Sequence, residues 1–479
     1  MTTDPTTFVS KYGKELANEN AAVFVGAGLS KAAGYVDWPG LLESAARELG
    51  LDVRKENDLV ALAQYYVNKK GANRHQLSQL LVENFSDLQE PTENHKILVR
   101  LPIRSFWTTN YDGLIEAALQ AGGRIADVKS TTAQLTTTKA RRDAVVYKMH
   151  GDISDPSSAV LTKDDYERYH RSHEAFITAL SGELVSTTFC FLGFSFNDPN
   201  LDYILSRVRT TFTKDQHTHY CITKRRSRNE FRTAAQFDYA KVKQELITQD
   251  LLRFNIETVL VNEYSEITEL LRAVEKRHRV RTVFISGSAH DYGTWGQPAA
   301  HEFIAELAGE LIRRKFKITT GFGLGVGGPV VSGAVQAIYS QRLGSVEDQL
   351  IMRPFPIEIA DPTQRRKTYE RYREDIVAQA GIGIFVLGNK LDGAQVVNSP
   401  GVLAEFELAK KLGLWLVPVG ASGFVAEQLW QEVMDHFDAY YRDSPRKVRG
   451  LLQSIGKVNG QPRDLVKVII EIAELLSKE

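Results

Sequence analysis

Short apolar runs that end in glycine or in polar residues recur along the whole chain. In the first half they lead into Gly26, Asn110, His150 and Gly193, and in the second half into Gly287, Gly321, Gly388 and Gly420. Such runs are typical of buried strands in parallel sheets, whose carboxyl ends meet at one edge and bind ligands there. The pattern predicts an α/β fold of two Rossmann-like domains with parallel sheets, residues 1–280 and 281–479.

Composition narrows the classes of function. The chain has 479 residues, and 59 Lys and Arg residues balance 59 Asp and Glu residues. This balance disfavours a nucleic-acid partner, because proteins that bind nucleic acids usually carry an excess of positive charge. Two cysteines, Cys190 and Cys221, are too few for a four-cysteine zinc site or a disulfide framework. Neither a signal peptide nor a membrane-spanning run is evident, so we expect a cytoplasmic protein without a metal or a membrane partner.

The first half carries a candidate nucleotide site at its predicted strand ends. Gly26, Ala27 and Gly28 precede a helix, where backbone N–H groups can approach a pyrophosphate. The amide of Asn110 can fix ribose hydroxyls, and His150 can accept a proton near neutral pH. The glycine loop alone is as readily structural as functional, and Asn110 or His150 alone is more readily structural, whereas their occurrence together at successive strand ends favours a functional site.

These motifs resemble, in order, those of the sirtuin-like NAD-binding domain: Gly26–Ser30, Thr109–Asp112, His150–Gly151 and Gly193–Ser195. The resemblance implies cleavage of the nicotinamide–ribose bond of NAD, the substrate. It implies that Asn110 orients the ribose or the attacking water, that His150 is the base and that Asp112 holds the carboxamide. The remaining implied contacts are to the pyrophosphate side, from Gly26, Ala27, Gly28 and Ser30, and to the adenosine side, from Gly193 and Ser195.

The first half departs from the protein deacylases of that family. Deacylases carry a zinc module with two paired-cysteine motifs, which Cys190 and Cys221 cannot supply. A strand motif that would clamp an acyl-lysine peptide is not recognisable either. We therefore expect water to accept the ADP-ribosyl group, which makes this half an NAD hydrolase rather than a deacylase.

The second half contains a glycine-rich loop, Gly321–Gly328, between a predicted strand and a predicted helix. Its Gly323 and Gly325 fit the dinucleotide fingerprint, but no strand precedes the acidic residues that follow about 20 positions later. A general phosphate-binding loop is the better interpretation. Arg373 and Lys390 suit phosphate groups, and Glu405 suits ribose hydroxyls or a base N–H.

Residues 281 to about 425 resemble the SLOG superfamily, which is related to the cytokinin-activating phosphoribohydrolases. The resemblance rests on Ser286–Ser288, on the loop from Gly321 and on the segment Pro400–Ala409. In that last segment Val402, Leu403 and Ala404 replace part of the glycine-rich motif of the hydrolases. We therefore expect binding without turnover, with seven ligand-contacting residues: Gly287, Ser288, Gly323, Gly325, Arg373, Lys390 and Glu405.

A sirtuin-like domain followed by a SLOG domain resembles the effector family of the bacterial Thoeris anti-phage system. The resemblance implies an NADase that stays inactive until its SLOG domain binds a cyclic ADP-ribose isomer made by a TIR-domain partner. It also implies a homo-oligomer, a tetramer in the simplest case, that depletes NAD in the infected cell. Three other functions remain open: a deacylase, a SLOG phosphoribohydrolase regulated by the first domain, and a non-enzymatic nucleotide sensor.

Overall fold

The computed structural model describes residues 2–194, 196, 198–211, 217–342, 344–355, 359, 361–441, 444–457 and 461–477. The chain forms two compact units, Met1–Glu275 and Lys276–Glu479. In each unit a parallel sheet is combined with helices, which confirms the predicted α/β fold class.

The N-terminal unit is built on an eight-stranded sheet in which every pairing is parallel. Its strands are β1 (Thr2–Thr3), β2 (Ala21–Val25), β3 (Ser105–Thr108), β4 (Ala126–Lys129), β5 (Ala144–Lys148), β6 (Thr188–Leu192), β7 (His219–Lys224) and β8 (Ile256–Val261). Their order across the sheet is β1-β8-β7-β6-β2-β3-β5-β4. The chain runs from β2 to β3 on one side and later enters β6 on the other, and ligands of open α/β sheets bind at the carboxyl ends of strands around such a reversal.

Both faces of this sheet are covered, as the central strand β2 shows. Val23 and Val25 join one hydrophobic cluster, whereas Ala22 and Phe24 join the cluster on the opposite face. This alternation explains why β2 is a continuous apolar run. The helices are α1 (Pro5–Ala17), α2 (Ala27–Lys31), α3 (Trp38–Leu41), α4 (Glu43–Leu49), α5 (Leu59–Lys69), α6 (His75–Phe85), α7 (Glu93–Arg100), α8 (Leu114–Ala121), α9 (Lys163–Ser172), α10 (Glu174–Ser186), α11 (Pro199–Thr211), α12 (Ala234–Leu251) and α13 (Ser265–Arg279).

The C-terminal unit contains a smaller parallel sheet with the strand order β11-β10-β9-β12-β15 and an antiparallel hairpin, β13–β14. The strands are β9 (Thr282–Ser288), β10 (Lys317–Thr320), β11 (Leu350–Met352), β12 (Ile382–Leu387), β13 (Asn389–Asp392), β14 (Gln395–Asn398) and β15 (Trp415–Pro418). The helices are α14 (Gly296–Arg313), α15 (Gly327–Gln341), α16 (Val346–Gln349), α17 (Pro362–Val377), α18 (Pro400–Lys411), α19 (Phe424–Asp435), α20 (Phe437–Tyr440), α21 (Lys447–Ser454) and α22 (Leu465–Leu476). None of the helices described in either unit has the length and apolar character of a membrane span.

Candidate active site in the N-terminal unit and ligand site in the C-terminal unit

Three of the predicted residues meet in one buried hydrogen-bonded chain. The Asn110 side-chain amide donates to Ser30 Oγ over 2.8 Å, and Ser30 Oγ donates to Asp112 Oδ2 over 2.6 Å. Ser30 lies in α2, which follows β2, whereas Asn110 and Asp112 follow β3. These hydrogen bonds therefore join the ends of two neighbouring strands. Asp112 Oδ1 also accepts the N–H of Leu114, the first residue of α8. This arrangement fixes an amide and a carboxylate side by side at the carboxyl edge of the sheet.

The glycines of the first predicted loop allow the ends of β2 and β6 to touch. The N–H of Gly26 donates to the Leu192 carbonyl and that of Gly28 to the Gly193 carbonyl, each over 2.9 Å. A Cβ atom on Gly26 would lie 2.5 Å from the Gly193 oxygen, so a larger residue cannot fit. Two N–H groups expected to face a pyrophosphate are therefore already bonded within the protein. Ser195, the other residue predicted on the adenosine side, lies outside the described residues.

His150 follows β5 and is almost fully buried, with 1% of its surface exposed. Its Nε2 lies 3.3 Å from Asp198 Oδ2 and 3.5 Å from Asn200 Nδ2. Burial lowers the pKa of His150, and the Asp198 and Asp165 carboxylates oppose that shift only in part. The imidazole is therefore neutral at physiological pH. If Nε2 donates to Asp198, the basic lone pair lies on Nδ1, which has no hydrogen-bond partner among the described residues.

A cleft of about 2510 Å³ borders this region. Thr109, Gly193, Tyr166 and Asp198 are among its lining residues. Asn110 and His150 do not line it, and Asn110 is only 9% exposed. The predicted catalytic side chains are thus covered, whereas Asp198, which contacts His150, lines the open cleft.

Sequence reasoning missed Asp198 and Tyr166. Asp198 accepts a hydrogen bond from the Tyr166 hydroxyl over 3.2 Å and also caps α11 through the N–H groups of Asn200 and Leu201. Asp198 could have been found, because it stands in the polar segment that follows β6. Tyr166 could not, because its place in the charged helix α9 gives no functional signal. Among the described residues, no cluster of three or more His, Cys, Asp or Glu side chains could hold a metal ion.

In the C-terminal unit, Glu405 and Arg373 lie beside the glycine-rich loop. Ser286 Oγ donates to Glu405 Oε2 over 2.5 Å, and Arg373 Nε lies 4.0 Å from Glu405 Oε1. The Arg373 guanidinium also covers the Phe355 ring, 5.3 Å from its centre. A Cβ atom on Gly321 would lie 2.9 Å from Phe355 and 3.9 Å from Glu405 Oε1. Burial raises the pKa of Glu405, whereas Ser286 and Arg373 favour its charged form.

The predicted glycines bring the end of β9 and the glycine-rich loop into contact. A Cβ atom on Gly323 would lie 1.9 Å from the Gly287 oxygen, and one on Gly325 would lie 2.2 Å from the Ala289 oxygen. Ser288 Oγ and Arg373 Nε are buried and lack a hydrogen-bond partner among the described residues. Lys390 is exposed on β13, and the described contacts do not join it to the other predicted residues. The unit therefore gathers six of the seven predicted residues around one edge of its sheet.

Each of the two units matches a known protein family. Residues 104–244 match the SIR2-like domain family, and residues 266–476 match the Sir2- and TIR-associating SLOG family. The chain is 48% identical to NAD(+) hydrolase ThsA of Bacillus cereus (strain MSX-D12), over 98% of each chain. It is 46% identical to NAD(+) hydrolase ThsA of Acinetobacter baumannii (strain 532279), again over 98% of each chain. These matches confirm the two domain resemblances, and because they extend over nearly the full length, the chain belongs to the ThsA family of NAD(+) hydrolases.

Proposed function

We propose that the N-terminal unit hydrolyses NAD to ADP-ribose and nicotinamide, with Asn110 and His150 as its catalytic residues. The observation that carries this proposal is the buried chain from Asn110 through Ser30 to Asp112 at the carboxyl edge of the sheet. Such a chain holds polar groups in fixed orientations, which is how preorganised dipoles lower a reaction barrier.

The chemistry breaks the bond between the ribose C1′ atom and the pyridinium nitrogen. The bonding electron pair leaves with nicotinamide, which departs as a neutral molecule, and positive charge develops on the ribose. A water molecule oriented by Asn110 forms the new C1′–O bond, and neutral His150 accepts the proton that the water loses. The Asp112 carboxylate accepts a hydrogen bond from the nicotinamide carboxamide and so selects the leaving group.

The closed arrangement around His150 supports control by a second ligand. His150 Nε2 is engaged with Asp198, and Asn110 does not line the cleft. A cyclic ADP-ribose isomer bound in the C-terminal unit would favour an open form, because a ligand shifts an equilibrium only by its preference for one state. The buried Ser288 Oγ and Arg373 Nε, which lack a hydrogen-bond partner among the described residues, are suited to bind that ligand.

In this proposal the ligand comes from a TIR-domain partner, and the enzyme depletes NAD in the cytoplasm of the infected cell. A ten-thousand-fold switch requires a preference of about 5.5 kcal/mol for the open state. A homotetramer that couples several ligand sites supplies this preference more readily than a single subunit does. In this proposal, oligomerisation therefore helps to keep the resting enzyme inactive.

Product analysis of the purified chain with NAD tests the catalytic half of the proposal. We expect nicotinamide and ADP-ribose to form in the presence of cyclic ADP-ribose isomers, and Asn110→Ala and His150→Ala to abolish both products. Nicotinamide release that survives Asn110→Ala would instead favour a phosphoribohydrolase centred on Glu405. NAD binding without product under every ligand would favour a sensor, and acyl-lysine turnover without free NAD consumption would favour a deacylase.

Charge reversal in the C-terminal unit tests the regulatory half. Arg373→Glu places a carboxylate opposite Glu405 and repels an anionic ligand, so we expect activation to disappear. Arg366→Glu is the matched control, because Arg366 lies on the same helix α17 with its side chain 75% exposed. NAD turnover is measured against the concentration of cyclic ADP-ribose isomers, with the melting temperature as a check of folding. Full activation of Arg373→Glu at the wild-type ligand concentration would contradict the role of Arg373.

A further inference from the structure

Lys148, the last residue of β5, is a fully buried lysine next to the proposed active site. Its ammonium donates to the Tyr111 carbonyl over 3.1 Å and to the Asp112 carbonyl over 2.6 Å. Both carbonyls belong to the turn that presents Asn110 and Asp112. Lys148 therefore holds the backbone of that turn, and it is not among the residues that line the cleft.

The same residue is tied to the turn that carries His150. The Lys148 carbonyl accepts the N–H of Gly151 over 3.2 Å, and the Lys148 ammonium is paired with the Asp152 carboxylate. Lys148 thus connects the polar segment after β3 with the polar segment after β5. Because β3 and β5 are neighbours in the sheet, one side chain can set the spacing of the two catalytic segments.

Charge around Lys148 keeps the ammonium in place. Glu116 Oε1 lies 3.3 Å from Lys148 Nζ, and Asp152 provides the second carboxylate. Burial alone would lower the pKa of Lys148, but the two carboxylates reverse this effect and raise it above its ordinary value. A buried charge is costly, and an apolar residue of similar size often stabilises a fold as well or better.

A second buried lysine shows that burial at a strand end is not by itself a functional feature. Lys129 ends the neighbouring strand β4 and is 3% exposed. Its ammonium is paired with Asp127 over 2.8 Å and donates to the Thr137 carbonyl over 2.5 Å. None of these groups belongs to a segment with a predicted catalytic residue. The two lysines differ in what their ammonium groups hold.

We propose that Lys148 is a positioning residue for NAD hydrolysis, which fixes the Tyr111–Asp112 turn, and with it Asn110, relative to His150. This inference rests on the proposed function of Asn110 and His150. A displacement of about 1 Å at a catalytic group can reduce a rate about 100-fold, so loss of the two carbonyl contacts must appear in kcat. Lys148 is not among the residues that line the cleft, so we expect KM to change much less.

The decisive variant is Lys148→Met combined with Glu116→Gln and Asp152→Asn, which removes the ammonium without leaving unpaired buried carboxylates. The matched control is Lys129→Met with Asp127→Asn. NAD turnover is measured in the presence of cyclic ADP-ribose isomers, with melting temperature and backbone hydrogen exchange. We expect the triple variant to lose about 100-fold in kcat with KM within about threefold, and its exchange to rise selectively over residues 109–116. We expect the control to stay within about threefold of wild type in kcat.

A wild-type kcat in the triple variant, or an equal loss in the Lys129 control, would overturn the inference. If the triple variant does not fold, Lys148→Arg decides. Its guanidinium keeps the charge but is larger and planar, so it cannot occupy the position of the ammonium without displacing the two carbonyls, and we expect at least a fivefold loss in kcat. A wild-type kcat for a folded Lys148→Arg would also overturn the inference. A wild-type chain that never consumes NAD would instead refute the proposed function.

Discussion

At the scale of single residues, His219 in β7 is held in its neutral form by a backbone group. The N–H of Phe189 donates to His219 Nδ1 over 3.1 Å, so this nitrogen must carry a lone pair. Burial, with a smaller contribution from His217, lowers the pKa of His219 to about 3. In the unfolded chain a histidine has a pKa of about 6.5 and binds a proton more readily. Folding stability from His219 is therefore present above about pH 6.5 and is lost as the pH falls toward 3.

His219→Asn should reduce this sensitivity to acid, because Asn Oδ1 can accept the Phe189 N–H without titrating. Between about pH 7.5 and pH 5, neutral burial of one such histidine costs about 2 kcal/mol of unfolding free energy. We expect the wild type to lose about that much more stability than His219→Asn over this interval. Chemical denaturation at both pH values measures the difference. Equal losses in the two proteins would show that His219 has the same pKa in the folded and the unfolded chain.

Asp198 sets the proton affinity of His150. Its carboxylate raises the pKa of an imidazole that burial lowers, and the two groups lie 3.3 Å apart. Asp198→Asn removes the negative charge and should lower the pKa of His150 further. Since the base must be neutral, the acidic limb of the kcat profile should move to lower pH, and kcat should fall because a weaker base accepts a proton less readily.

The pH dependence of kcat for NAD hydrolysis in the activated enzyme checks this prediction. Tyr166→Phe is the control, because it removes one hydrogen bond to Asp198 and keeps the charge. An acidic limb that stays in place in Asp198→Asn would mean that His150 leaves Asp198 when the enzyme is activated.

Sequence reasoning identified most of the candidate site residues that follow a strand, with Asp198 as the exception, and it missed Tyr166, which reaches the site from a helix. Asn110 and Asp112 were predictable because a polar segment interrupts an apolar run. The use of Gly26 and Gly28 was not, because their contact with Gly193 depends on the pairing of β2 with β6, which are far apart in the chain. The role of Lys148 was hidden for a different reason, because a lysine in a strand ordinarily indicates an exposed position.

At the scale of secondary-structure elements, Gly193 determines how closely the segments after β2 and β6 approach. It has a φ of +63°, and a Cβ atom there would lie 2.5 Å from the backbone nitrogen of Leu29. Gly193→Ala therefore meets both backbone strain and a clash with main-chain atoms that cannot move aside. We expect a loss of at least about 2 kcal/mol in unfolding free energy.

Gly182→Ala is the matched control within the same unit. Gly182 lies in α10, and an added Cβ would meet nothing within 4 Å. Because alanine favours a helix interior over glycine, we expect this variant to gain about 0.5–1 kcal/mol. Chemical denaturation of both variants gives the comparison. A neutral effect of Gly193→Ala would show that the two strand ends separate without cost.

The prediction of strands from sequence succeeded wherever an apolar run ends in glycine or in polar residues, even where the strand is short. Such runs located β2, β3, β5 and β6 in the N-terminal unit and β9, β10, β12 and β15 in the C-terminal unit. They did not reveal the hairpin β13–β14, where Leu391 and Val396 are paired but largely exposed. The order of strands in each sheet was also beyond sequence reasoning, because pairing between distant segments leaves no local pattern.

At the scale of the whole molecule, NAD and the proposed activator should prefer the same open form of the enzyme. NAD must reach Asn110 and His150, which the present arrangement covers, and the proposed activator favours the form that uncovers them. Two ligands that share a preferred state must strengthen each other's binding by the same factor. Typical coupling between sites corresponds to a factor of about 5–150.

This reciprocity can be measured in Asn110→Ala, which should bind NAD without consuming it. We expect the affinity for a cyclic ADP-ribose isomer, measured by calorimetric titration, to rise at least about fivefold when NAD is saturating. Arg373→Glu in the same background should abolish binding of the isomer and with it the effect. Coupling across subunits would strengthen the effect of NAD on isomer binding. The rise in isomer affinity should therefore grow with protein concentration over the range in which the chain assembles. If NAD leaves the affinity for the isomer unchanged, the isomer acts on a step after NAD has bound. The covered site would then open without help from the C-terminal unit.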